Sequence, residues 1–582
     1  MAQFQVGLSM AGAISAGAYT AGVVDFLCEA LSEWEKVRGQ ADIPQHRTAI
    51  TVMSGASAGG IITALLPVAL ADGIKPVTRP AGAMPPGGTA PNPNLYTLPA
   101  LYRAWVERPT LFEDPKGGLL GLRDLADSKA PVCSALDTTI LDEVCAEALQ
   151  PRSGGQAAPH PWIGSKLHLF LTVSNLHGVP YGVAFSGTDA RGEAISDLHV
   201  IQLHGDRVHF ALSNVGAAVM SSVWADQDPA TTLDIGELFH GGALPPAWVE
   251  FGQAALATSA FPIGLKARLL SRPSADIANL QWPIERPALT RILPAFPKTP
   301  VGATYGFANV DGGMINNEPF EFAHWTLLQD PTQSVHNESK GAKADRAILM
   351  IDPFPEAPAF DFDEKQDNSL VWVLKKLVPT LTQQARFKLE ELVAAADEDR
   401  FSRFMIQPER GNATASVSGE RAIACGLLGG FGGFLDRRLR AHDYQLGRRN
   451  CQWFLRHSFC LPPENPLVAG GDWTAPAKAR FQTKDGKGTT YHPIIPLLGT
   501  ANLEVPAPAW PSLEPGIVDT LMQHARERAD AVVDRLIDTQ ISSWVLRQVA
   551  NAAWSMGLRS WALGMIKDKA VADLKARGHI PP

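Results

Sequence analysis

The sequence predicts an α/β protein built on a central, mostly parallel sheet, followed by a mainly helical C-terminal region. Three observations lead there. Twice near the N-terminus a short β-prone run passes through a turn of small residues into an apolar helical pattern, the signature of parallel strands joined by crossover helices. A further β-prone run ends on Asp311-Gly312-Gly313, and in the last part of the chain apolar residues recur every three to four positions.

In chain order, Phe4 to Val6 opens the first strand, Gly7 to Gly17 is the small-residue turn, and Val24, Leu27, Cys28, Leu31 and Trp34 mark one apolar face of the helix after it. Ala49 to Met53 repeats the pattern, with the turn Gly55-Ala56-Ser57-Ala58-Gly59 and the apolar helix Ile61 to Leu70. Residues 76–94 hold prolines at 76, 80, 85, 86, 91 and 93, too many breakers for regular structure, and read as an exposed loop or lid margin. Helices are expected over Leu95–Val106 and Asp137–Leu149. A buried strand is expected at Leu167–Val173 with Tyr181–Phe185 as its neighbour, and Ala347–Ile351, closed by Asp352-Pro353, as the last strand of the sheet. The expected boundary, near Pro355 to Phe362, gives a domain 1–355 with long insertions and a helical domain 356–582. Two apolar stripes lie in the latter: Val518, Leu521, Met522, Ala525, Ala529, Val532 and Leu536, then Trp554, Leu558, Trp561 and Met565. The second is expected to pack on its own domain, although neighbouring Arg559, Lys567 and Lys569 also suit a membrane interface.

The chemistry concentrates at Ser57. Small neighbours let the backbone bend sharply, so the hydroxyl stands at a strand end beside the unpaired N–H groups of a helix N-terminus. Main-chain N–H groups at Gly12, Ala13 and Ile14 are placed to hold a developing oxyanion. Asp311, at another strand end, is the candidate base; it would also serve as a turn residue accepting from the N–H of Gly313 or Met314. Gly55, Gly59, Gly312 and Gly313 are read as structural. Asp25 reads as a solvated helix residue. Arg437, Arg438, Arg440, Arg448 and Arg449 read as a solvated face paired with Asp436 and Asp443, with lipid phosphate as the alternative. His324, His336 and His442 read as packing or surface residues.

These residues together resemble the patatin-like lipid acyl hydrolases: a Gly-rich oxyanion loop, a Gly-x-Ser-x-Gly turn and a later Asp-Gly-Gly, in that order. Ala257-Thr258-Ser259-Ala260-Phe261-Pro262 and Asn316-Asn317-Glu318-Pro319 match segments flanking the family's Asp motif. Phe431 to Leu435 and His442 to Cys451 are similar to the C-terminal region of larger bacterial patatin-related proteins. The family's loop Gly-Gly-Gly-x-Arg-Gly falls without gaps on Gly12 to Gly17, where Ala13 and Ile14 replace glycine and Ala16 stands where the arginine would be. The resemblance implies a three-layer patatin-like sandwich over residues 1–355 and a Ser57–Asp311 dyad. It also implies phospholipase A or lysophospholipase activity on a lipid ester through an acyl-enzyme, with no metal and no cofactor. Two alternatives stay open: a weak or inactive lipid- or partner-binding protein of the same fold, and a Ser-His-Asp esterase. A third possibility is an enzyme held inactive until a partner or membrane opens the Pro-rich segment.

Composition narrows the partners. With 45% hydrophobic and 19% charged residues the chain is that of a globular protein, and 51 basic against 59 acidic residues give a net charge of −8, against broad nucleic-acid binding. Six cysteines show no zinc-ligand spacing and read as reduced thiols. With no Lys or Arg before Lys36, the N-terminus reads as a first strand and not a signal peptide. The expected location is cytoplasmic, with transient attachment to a membrane surface.

Overall fold

The computed structural model describes residues 2–77, 89–90, 95–112, 117–155, 158–188, 191–192, 194–280, 294, 304–328, 334, 336–355, 380, 400–412, 415–514, 516–541 and 543–581. Most of the Pro-rich segment 76–94 and of the expected boundary lies outside them.

Ten strands form one sheet. They are β1 (Gln3–Met10), β2 (Arg47–Gly55), β3 (His160–Thr188), β4 (Ala194–Ser213), β5 (Gly216–Ala218), β6 (Thr231–Asp234), β7 (Arg268–Pro273), β8 (Thr304–Asp311), β9 (Arg346–Ile351) and β10 (Arg403–Ile406). The main path runs β10-β9-β1-β2-β3-β4-β6, and its first five strands are parallel. β4 and β8 both pair antiparallel with β3, and β7 antiparallel with β8. The longer helices are α1 (Gly17–Val37), α2 (Ala58–Ala71), α3 (Thr139–Leu149), α4 (Pro246–Ala257), α5 (Phe320–Leu327), α6 (Arg437–His457), α7 (Ile517–Gln540), α8 (Trp544–Ala553) and α9 (Arg559–Ala576).

Neighbouring residues along the central strands enter two different cores. Leu169, Leu171, Ala347 and Leu349 join the large core shared with α1, α2 and α6, while Phe170 and Ile348 join a smaller one with Phe322, Ala323 and Leu327 of α5. The strands therefore read as continuous apolar runs because both faces are covered. Gly7 is needed on the α5 face, where a Cβ would press on Ala323 and Leu327 at 3.2 and 3.1 Å.

Several expectations need correction. Tyr181–Phe185 does not neighbour Leu167–Val173; it continues the same strand. The Asn175 side chain accepts from the N–H groups of His177 and Gly178, at 2.9 and 3.1 Å, and the chain bulges there without reversing. Ala347–Ile351 is not the last strand, since β10 pairs beyond it. Elements after residue 400 thus complete the sheet and its core, in addition to forming the helical region.

Asp25 is not solvated. It is fully buried in the seam between α1 and α6, where it accepts from Tyr444 Oη at 2.7 Å and from the N–H groups of Thr97 and Leu98 at 2.9 and 2.8 Å. The Arg448 guanidinium bridges Asp25 and Glu29. The arginine cluster is accordingly not one solvated face: Arg440 and Arg448 are buried, and Arg437, Arg438 and Arg449 pair with Glu107, Asp436 and Glu504. The second C-terminal stripe does not pack away either. Trp554 donates to Asp530, but Leu558, Trp561 and Met565 are exposed, as are Trp544, Leu546 and Val549 of α8. α1 is apolar and long enough to cross a membrane, yet 94% of the relevant stretch is buried within the fold.

Candidate active site

Ser57 sits between β2 and α2 with φ 52° and ψ −121°. That left-handed backbone is costly for a residue with a Cβ, and such strain concentrates at functional sites. The glycines around it are required sterically. A Cβ on Gly55 would collide with the Gly59 carbonyl, and one on Gly59 with the Met10 carbonyl at the end of β1. The turn is held from outside by Thr258, whose carbonyl and Oγ1 both accept from the Ser57 N–H at 3.0 Å.

β8 delivers Asp311 to the same point. Its antiparallel pairing sets Asp311 opposite Val173, two residues beyond the Leu171 level at which β3 faces Gly55. Asp311 N donates to the Ala260 carbonyl at 2.9 Å, Gly312 N to the Thr258 carbonyl at 3.1 Å, and Ser174 Oγ to the Asp311 carbonyl at 2.8 Å. One segment, Thr258 to Ala260, therefore sets both loops. A Cβ on Gly312 would strike the Thr172 carbonyl, so this approach needs glycine.

The two side chains meet: Ser57 Oγ donates to Asp311 Oδ2 at 2.6 Å. Asp311 Oδ1 accepts from Gly313 N at 2.7 Å, so the turn role and the contact with serine coexist on the two oxygens of one carboxylate. Burial pushes its pKa up to about 6, against the lowering effect of the bonds from Ser57 and Gly313.

The small-residue loop after β1 closes over the serine. A Cβ on Gly12 would lie 3.0 Å from Ser57 Cβ. Of the three expected donors, Gly12 is occupied, giving its N–H to the Asn317 carbonyl at 3.2 Å. Among the described residues the N–H groups of Ala13 and Ile14 have no acceptor. Ile14 takes φ 47°, a costly backbone for a β-branched residue, whereas Ala13 stays at φ −150°.

Ser57, Asp311 and Ile14 line a cavity that opens to solvent, with about 1100 Å³ of empty space counted out into the solvent at its mouth. Its walls are the apolar faces of α2, α3 and α4. Along α2 it is lined by Ser57, Ile61, Ala64 and Leu65, a rise of about 12 Å at 1.5 Å per residue. Arg152, just past α3, pairs with Asp72 at the far end of α2, so Leu149 lies away from Ser57, where Gly252 of α4 meets Cys145 and Leu149. Asp311 is the one titratable carboxylate or basic group among the described lining residues, and no histidine is among them.

Phe431 and Phe434 complete the wall from the C-terminal part of the chain. Neither they nor the control of the Ser57 turn by Thr258 is visible in local sequence pattern. The flanking segments 257–262 and 316–319 carried the available signal, and the structure brings both to the site. The six cysteines are free thiols, and no cluster among the described residues has a metal-ligand arrangement.

No family model matches the chain. It is similar to the uncharacterized protein y4iI of Sinorhizobium fredii (strain NBRC 101917 / NGR234), 39% identical over 598 aligned positions that take in 99% of this chain and 82% of that protein.

Proposed function

We propose a function for this chain, which belongs to the family of the Sinorhizobium fredii protein y4iI: it is a serine lipid acyl hydrolase of patatin-like type, working with a Ser57–Asp311 dyad. The observation that carries this reading is the 2.6 Å hydrogen bond from Ser57 Oγ to Asp311 Oδ2 at the head of an apolar, acyl-sized cavity. The order of Gly-rich turn, serine turn and Asp-Gly-Gly, on strands that converge, supports the family likeness.

In the first step Ser57 Oγ bonds to the ester carbonyl carbon while its proton passes to Asp311 Oδ2. A carboxylate with pKa about 6 accepts a proton more readily than an exposed one. The carbonyl oxygen takes the negative charge and faces the free N–H groups of Ala13 and Ile14. Collapse breaks the bond to the alcohol, which takes the proton from Asp311. Water then attacks the acyl-serine, again giving its proton to Asp311, which returns it to Ser57 Oγ as the acid leaves. The apolar channel suits a single unbranched acyl chain of a phospholipid or lysophospholipid. The exposed Trp544, Leu546, Val549, Leu558, Trp561 and Met565 suit transient contact with the lipid surface that presents it. A Ser-His-Asp esterase is disfavoured by the lack of a histidine among the described cavity residues.

The test is fluorophosphonate labelling together with fatty acid release in excess chelator. Wild-type protein should be labelled at Ser57 and turn over, and Ser57→Ala and Asp311→Asn should abolish release. Folded protein that resists the probe, with and without lipid vesicles, rejects the reading in favour of a non-catalytic binding protein.

A further inference from the structure

The turn that carries the free N–H groups of Ala13 and Ile14 is strained, and its flanks are held within residues 1–355 by Gly12 N on the Asn317 carbonyl and by Gly17 against Trp105. Its side-chain anchor is Ser15, which is buried and reaches across the chain to the loop Ala424–Leu435. Ser15 Oγ donates to the Gly430 carbonyl and accepts from Gly433 N at 3.1 Å. Gly430, at φ 94°, faces Ile14: a Cβ there would lie 3.3 Å from Ile14 Cβ and 3.7 Å from the Ala13 carbonyl. A Cβ on Gly433 would collide with Ser15 Oγ itself.

The loop is in turn fixed by four buried or partly buried side chains. Asp443 of α6 accepts from the N–H groups of Ala424 and Cys425 at 2.7 and 2.8 Å, and Arg440 donates to the Gly433 carbonyl at 2.5 Å. From α9, Asp573 accepts from Leu428 N at 2.9 Å, and Arg577, just beyond the helix, donates to the Gly426 carbonyl at 3.1 Å. Leu428 itself is held at φ 54°. A rigid, over-determined loop on one side and a strained Ile14 on the other leave Ser15 as the hydrogen-bonded joint between them.

We propose that Ser15 is a positioning residue for the oxyanion site: by clamping the 14–16 turn to the C-terminal loop, it keeps the Ala13 and Ile14 N–H groups aimed at the developing charge. The inference rests on the hydrolase reading above. It assigns to the C-terminal part of the chain a role in transition-state stabilisation, reached through Ser15 and not by contact with substrate.

Two variants test it from opposite sides. Ser15→Ala removes both hydrogen bonds; Gly430→Ala keeps the hydroxyl but places a Cβ at positive φ against Ile14. Both are assayed on a short, soluble ester such as p-nitrophenyl butyrate, with near-UV circular dichroism and melting to establish folding. Loss of one oxyanion donor costs about 10²–10³ in kcat, so a misaimed pair should lower kcat by about 10-fold or more while KM moves less than about twofold. Ser15→Thr, which retains the hydroxyl, should recover part of the rate. The proposal is overturned by either folded variant retaining wild-type kcat, or by a rise in KM with kcat unchanged. Should one variant fail to fold, the other decides. A wild-type protein that neither turns over the ester nor labels at Ser57 overturns the hydrolase reading and this proposal with it, whereas normal wild-type turnover with unaffected variants overturns only the latter.

Discussion

Asp311→Asn should abolish activity and at the same time make the protein more stable at neutral and alkaline pH. The carboxyl is fully desolvated and its pKa is raised from 3.8 to about 6. The folded form therefore binds a proton more tightly than the unfolded chain between those two values. Stability falls as pH rises through that window, since the native state must then hold a buried charge. A shift of about two units at 1.36 kcal/mol each corresponds to about 3 kcal/mol by pH 8. Asparagine avoids this cost. Its carbonyl still accepts from Gly313 N, and its amide can meet Ser57 Oγ, so the change in hydrogen bonding is expected to be smaller, about 1 kcal/mol. Urea unfolding of both proteins, followed from about pH 5 to about pH 8, should show the variant gaining on the wild type by about 1–1.5 kcal/mol across the range, the rest of the change lying below pH 5. A difference that stays constant with pH, or a variant that is less stable above pH 7, refutes the claim that Asp311 is ionised at a cost inside the fold.

Three further outcomes follow from the same geometry. The kcat/KM for a soluble ester should rise with pH through an apparent value of about 6 and then level, because Asp311 must be ionised to accept the Ser57 proton; initial rates across pH check this. Gly252→Val should remove activity on long-chain esters while sparing butyrate, because even a Cβ there stands 2.9 Å from Leu149 Cδ1 and 3.0 Å from Cys145 Sγ, in the part of the channel away from Ser57; a chain-length series of p-nitrophenyl esters reads it. Arg448→Met leaves Asp25 and Glu29 buried beside one another without their cation, and should cost about 3–5 kcal/mol in urea unfolding.

Ser57 and Asp311 were legible because their signals are local. A serine flanked by glycines that admit no Cβ, and an aspartate ahead of two more, state their backbone requirements within five residues. The sheet was legible for the same reason, as strand, turn and helix follow one another without interruption. Asp25 was not, because periodicity on α1 suggests one buried face, and the other is covered by Thr97 and Leu98 and by α6, more than 400 residues later. At Asn175–Gly178 the turn-forming residues are real, but the asparagine side chain satisfies the local N–H groups in a bulge, so the strand goes on. The turn at Gly12–Gly17 shows the same limit. Ile14 stands where glycine would take positive φ cheaply and takes it nonetheless, held by partners that no neighbouring residue reveals.

The site concentrates three local costs: positive φ at Ser57, positive φ at Ile14, and a buried carboxylate at Asp311. Each persists only if its surroundings over-determine it. For Ser57 the restraint is Thr258 and the close packing of Gly59 on β1; for Asp311 it is the Thr258–Ala260 segment and Ser174. Both sets lie in the sheet domain. Ile14 differs, since its side-chain restraint comes through Ser15 from a loop that α6 and Asp573 of α9 fix in place. On the hydrolase reading proposed above, the segment after residue 400 therefore completes the site and is not an appendage to it. The restraints on Ser57 and Asp311 lie outside that segment, while the turn opposite them takes from it the partner that holds its strained conformation.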